Sequence, residues 1–102
     1  MPFQNGSAAF APISGKGPQV LLTTVTFPSA VRSATALLTG FVAEFSAHQD
    51  HHLGLLDIQV SVPRGGIKGR NVEVRAVLGL RDWSGDWDDM YDGEIFFTVI
   101  AE

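Results

Sequence analysis

Both tryptophans, the only tyrosine and six of the eleven acidic residues fall in one stretch, Arg81-Asp82-Trp83-Ser84-Gly85-Asp86-Trp87-Asp88-Asp89-Met90-Tyr91-Asp92-Gly93-Glu94. Asp82, Ser84, Asp86 and Asp88 recur at every second position, and Gly85 permits a sharp turn between them. Oxygen ligands at that spacing can converge on Ca²⁺, which takes six to eight of them. An EF-hand is a poor fit, because Trp87 stands where its glycine would be and Gly93 where its bidentate carboxylate would be. The alternative is a solvated loop whose Asp side chains cap turns.

Trp83, Trp87 and Tyr91 recur at intervals of four in the same stretch. Indole and phenol rings bury much area at small entropic cost and are favoured at binding surfaces. A sugar ring stacks its apolar face on indole while carboxylates accept from its hydroxyls. Asp82, Trp83, Asp86, Trp87, Asp89 and Tyr91, on a loop expected over 82–92, are therefore the expected ligand-binding set, with a glycan or similar small polar molecule as ligand. The competing reading folds the rings back over the end of the domain.

Other constellations are weaker. His48, His51 and His52 share one polar break with Asp50, but adjacent His51 and His52 would point apart on an extended chain. Arg64, Lys68 and Arg70 lie on a glycine-rich turn, usually a solvated tip. Gly15-Lys16-Gly17 lacks the spacing of a phosphate-binding loop. Paired carboxylates could cleave a glycosidic bond only within a cleft that a chain of 102 residues has little material to build. The expectation is a protein that is not an enzyme.

The elements that would position this stretch are strands. Gln19–Phe27 is rich in β-branched residues and ends at Pro28. Ser29–Ala34 reads as a turn or short helix, and the following segment to Ala47 as a strand, regular over Gly40–Ser46 with Phe41, Ala43 and Phe45 on one face. Leu56–Val62 alternates strictly, and 63–70 is a turn. Val72, Val74, Ala76, Leu78 and Leu80 are in phase with Glu73, Arg75 and Arg81 opposite. Ile95–Ala101 is apolar on both faces, as a central or covered strand would be. The expected fold is all-β: a single small antiparallel β-sandwich or jelly-roll-like domain over 18–102, preceded by a flexible N-terminal arm over 1–17. Five strands make a thin sandwich, so a symmetric homo-oligomer sharing its core, with the acidic loop at the subunit interface, is the second expectation.

Composition narrows the partners. A net charge of −4 argues against nucleic acid, whose phosphates need a basic surface. Through Arg81 the chain carries seven basic and four acidic residues; the remainder has seven acids and no base. There are no cysteines, so disulfide scaffolds and cysteine catalysis are excluded. No apolar run approaches the ~20 residues of a membrane helix, and the N-terminus has no leader pattern. A soluble, cytoplasmic protein without membrane insertion is expected, secretion remaining open.

A compact all-β chain closing on an apolar strand that ends Val99-Ile100-Ala101 resembles the small H-type lectin domains. The resemblance covers the strand rhythm of the second half. It implies a six-stranded sandwich, association as trimers or hexamers, and lectin-like carbohydrate binding. The family's sugar-binding motif has no counterpart here and the Asp/Trp loop is foreign to its pattern, so its specificity for N-acetylgalactosamine-type sugars is not carried over.

Overall fold

The structure, a computed structural model, describes residues 2–13, 17–46 and 52–102. Seven strands follow in order: β1 (Phe3–Ile13), β2 (Gln19–Thr26), β3 (Ala34–Phe45), β4 (Leu53–Ser61), β5 (Ile67–Lys68), β6 (Asn71–Asp82) and β7 (Tyr91–Ala101). They form two antiparallel sheets, β1-β7-β3 and β2-β6-β4, with the short β5 also on β6. The sheets pack face to face as a small β-sandwich 47 Å long and 21 by 18 Å across. Among the described residues no helix is long and apolar enough to cross a membrane.

The two central strands supply most of the core. On β6, Val72, Val74, Ala76, Leu78 and Leu80 are all buried, and Ile95, Phe97, Val99 and Ala101 of β7 meet them from the other sheet. The alternation expected for 72–80 is therefore the one observed, and the two-faced strand 95–101 is central in its sheet. The core has two lobes along the long axis. One gathers Phe10, Leu78, Tyr91 and Ile95; the other gathers Phe27, Val72, Phe97 and Val99. Large rings fit because small residues face them. A Cβ at Gly6 would lie 2.6 Å from Cζ of Phe97, well inside van der Waals contact, so the ring occupies the space a side chain would need.

Three expectations need correction. The supposed flexible arm is, over Phe3–Ile13, an eleven-residue strand paired with β7 from Phe3↔Ile100 to Ile13↔Tyr91. Backbone pairing with β7 and burial of Ala8 and Phe10 stabilise a segment whose small side chains carry little pattern of their own. This strand also removes the shortage of strands that favoured a shared core. Next, no helix forms at 29–34; a bent connection leads directly into β3. A register shift between Leu38 and Gly40 then changes the phase of β3. Leu37 consequently pairs with outward-facing Thr98, whereas Phe41, Ala43 and Phe45 pair with Ile95, Gly93 and Tyr91; Ala43 and Phe45 pack on the core while Phe41 stays exposed. Finally, β6 continues to Asp82 and β7 begins at Tyr91, so the connecting loop is shorter than the acidic stretch suggested.

Candidate functional site

The loop 83–90 joins β6 to β7 at one end of the sandwich. Asp82 organises its first turn. Its Oδ1 accepts from the Ser84 amide at 3.0 Å and from the Ser84 hydroxyl, while the Gly85 amide donates to the Asp82 carbonyl at 3.4 Å. Gly85 takes φ 88°, a left-handed conformation that glycine adopts without steric penalty. The Asp86 amide then donates to the Ser84 Oγ at 3.3 Å. The whole turn is tied to β4 by the Trp83 amide, which donates to the His52 carbonyl at 2.9 Å. Such side-chain bonds to local amides are the usual work of Asp and Ser in a turn.

The aromatic residues part company here. Trp83 is 73% exposed. Trp87 is half-buried: its Cη2 lies 3.2 Å from where a Cβ of Gly79 would be, and Arg81 Cζ stands 5.7 Å from its ring centroid. That distance is within cation–π range. Its other neighbour is Tyr91, with centroids 6.1 Å apart and planes tilted by 53°. Tyr91 is fully buried, and its hydroxyl donates to the carbonyls of Gly17 at 2.9 Å and Leu78 at 3.3 Å. Burial raises its pKa above the ordinary tyrosine value, because the phenolate would be poorly solvated. Tyr91 is thus a core residue and not a ligand contact, which corrects its place in the expected binding set.

The carboxylates regroup as well. Asp82, Asp88 and Asp89 each bring an oxygen within 4.8 Å of the others. Ser84 and Asp86, expected beside Asp82 and Asp88 as metal ligands, serve the turn through the Ser84 hydroxyl and the Asp86 amide. The turn at 83–85 reverses the chain, so every-second-residue spacing no longer measures distance. Asp88 is exposed, and Asp82 and Asp89 are half-buried. Hard oxygen donors in this number suit Ca²⁺ completed by water or by a ligand's hydroxyls. What remains of the expected set is exposed Trp83, next in sequence to Asp82, and the cluster of Asp82, Asp88 and Asp89 oxygens.

His48, Asp50 and His51 lie outside the described residues, as do Gly15 and Lys16; His52 is exposed. Arg64, Lys68 and Arg70 are exposed at the opposite end of the sandwich, where Arg32 and Arg64 flank a hollow of about 370 Å³. A more apolar cleft of about 480 Å³ lies between the edges of β1 and β2, lined by Ala9, Phe10, Pro18 and Leu21 among others.

The largest feature is one that composition does not reveal. Apolar side chains stand exposed along the flanks of the sandwich: Val20 and Leu22 on β2, Leu38 and Phe41 on β3, Leu53 and Leu56 on β4. Phe3, Leu37, Val42 and Phe96 add to them on the outer face of the β1-β7-β3 sheet. The sequence did carry a signal for this. Consecutive apolar residues at 20–22, 37–38, 41–42 and 55–56 cannot all turn inward from a strand. Comparison with known protein families, characterised proteins and solved structures gives no match.

Proposed function

We propose that the protein is a non-enzymatic subunit of a symmetric homo-oligomeric assembly. The observation that supports this reading is the apolar exposure along the flanks. Val20 and Leu22, two apart on the outer face of edge strand β2, are 48% and 58% exposed in a domain whose inner faces already form a core. Single exposed leucines are ordinary, but grouped ones on a small domain mark a surface that meets another protein. A second copy is the partner always present at matching concentration, and closed symmetric homo-oligomers are the commonest kind. Light scattering at micromolar concentration should return a small multiple of 11.0 kDa. A monomer under those conditions overturns the reading.

A second reading is favoured by Trp83. A large ring that is 73% exposed, one residue along from a member of a three-carboxylate cluster, is an unusual use of indole in a turn. It supports lectin-like glycan binding, with Trp83 as the stacking platform and Asp82, Asp88 and Asp89 as acceptors or as ligands of a Ca²⁺ ion shared with sugar hydroxyls. A glycan array probed with the parent protein, with Trp83→Ala and with chelator present tests it. Binding lost in the variant and weakened by chelator is expected. An array blank for the parent, with or without Ca²⁺, removes the glycan.

A further inference from the structure

We infer that β2 is the joint of this assembly, pairing edge to edge with β2 of a second copy about a two-fold axis. The inference rests on the assembly reading and goes beyond it by naming the strand, the partner and the register.

Among the described residues, each sheet leaves two strands with one side unpaired: β1 and β3 in one, β2 and β4 in the other. An open edge invites further strands, and proteins guard against this with prolines, charges, glycines and bulges. Three of the four edges are guarded so. β1 contains Gly6 and Pro12 and breaks register between Phe10 and Ile13. β3 breaks register between Leu38 and Gly40 and carries Glu44. β4 has Gly54, Asp57 and a shift between Leu53 and Leu55. β2, Gln19-Val20-Leu21-Leu22-Thr23-Thr24-Val25-Thr26, has none of these. It holds unbroken register against β6 from Gln19↔Leu78 to Thr26↔Asn71. Five of its eight side chains are Val or Thr counted with its Leu pair set aside, and none is charged, a composition that suits pairing.

A second copy fits this edge better than a charged or proline-rich partner would. With no charge on β2, no self-pairing register sets like charges opposite one another. A two-fold axis normal to the sheet keeps outward residues beside outward residues, which requires one residue to face its own copy. Centred on Leu22, the pairing joins Val20 to Thr24 and Leu21 to Thr23 of the second copy over residues 19–25. The two exposed Leu22 side chains then cover each other on the outer face, next to Val20 and beside Arg75, the cross-strand neighbour of Leu22 on β6. The same axis brings the β1 edges of the two copies toward each other. The flank that carries the β1 and β2 edges is at most 47 Å long and 18 to 21 Å deep, and the ~800 Å² that each partner of a stable interface buries would have to come from it.

The absence of cysteine makes the test direct. In Leu22→Cys the two introduced thiols would lie on residues directly opposite, with Cα atoms about 4.5–5.5 Å apart, inside the ~4.4–6.8 Å range of disulfides. Mild oxidation should convert it to a covalent dimer of unchanged fold. Thr24→Cys should not cross-link, because residue 24 and its copy would stand four residues, about 13 Å, apart along the pair. Leu22→Lys, at a position that is already exposed, should keep the parent's circular dichroism while its mass falls at least twofold. Equal cross-linking of both cysteine variants, or an unchanged mass in Leu22→Lys, overturns the β2 joint and leaves the assembly reading standing. A monomeric parent overturns both.

Discussion

Trp83 and Trp87 are four residues apart in one loop, each with an aspartate beside it, and they end in opposite situations. Trp83 follows Asp82, whose Oδ1 serves the turn, and the Trp83 amide is held to the His52 carbonyl just before β4. Backbone bonds on both sides fix the turn while leaving the ring in water. Trp87 lies beyond the reversal, where the chain comes back over β6, and Gly79 leaves room for its ring. Its contacts with Arg81 and Tyr91 make it part of the end wall of the core. Residue type and spacing therefore did not decide the roles. What decided them was which side of an Asp-capped turn each ring falls on.

This contrast can be broken most sharply at Trp87. Trp87→Ala should destabilise the domain by about 3 kcal/mol, the lower part of the range for deleting a packed aromatic, since the ring is only half-buried. For a domain near this size that is a fall of more than ten degrees in Tm, readable by scanning calorimetry. A change under one degree would mean that Trp87 is as free as Trp83.

Tyr91 sharpens the same comparison at smaller amplitude. Tyr91→Phe keeps the ring and removes a hydroxyl that bonds one buried and one partly buried carbonyl, so a loss of about 1–2 kcal/mol is expected in denaturant titrations. The hydroxyl also has a pH signature. Its folded pKa is raised, so the neutral phenol is favoured by folding. The contribution is complete below the ordinary value near 10 and declines as pH rises from there through the folded pKa. Because Tyr91 is the only tyrosine, its phenolate absorbance reports the site alone. Titration at the ordinary value in the folded protein would contradict its burial. Trp83→Ala is the smallest effect. Stability should move by less than about 0.5 kcal/mol, as for other surface changes, whatever happens to glycan binding.

How much could be read in advance differed from strand to strand, for physical reasons. β6 was plain because charged Glu73, Arg75 and Arg81 alternate with apolar residues, so both faces announce themselves. β1 was hidden because its inward positions include Gly6 and Ala8, small where Phe97 and Ile95 of β7 are large. A strand that serves as the socket for another shows no hydrophobic contrast of its own. β3 was half legible: its pattern was regular after Gly40, but the register shift at Leu38 reverses the faces without any mark in composition. In the acidic stretch the location was legible and the roles were not. Asp82, Asp88 and Asp89 meet only because the turn at 83–85 folds the chain, a long-range consequence of one left-handed glycine and one capped amide.

The order of strands in the β1-β7-β3 sheet has a consequence for how the protein comes into being. Both β1 and β3 pair only with β7, and Phe3 finds its partner at Ile100. During synthesis at about 5–20 residues per second, β1 waits roughly 5–20 seconds before any backbone partner exists for it. Neither local turns nor early collapse can shorten that interval, since the missing hydrogen bonds are on residues not yet made. Closing so long a loop also places folding among the slow, non-local topologies. Until β6 is made, β1, β3 and the unguarded β2 are unpaired strands at once, and β1 and β3 stay so until β7 follows, the state in which a nascent chain is most prone to join a wrong neighbour.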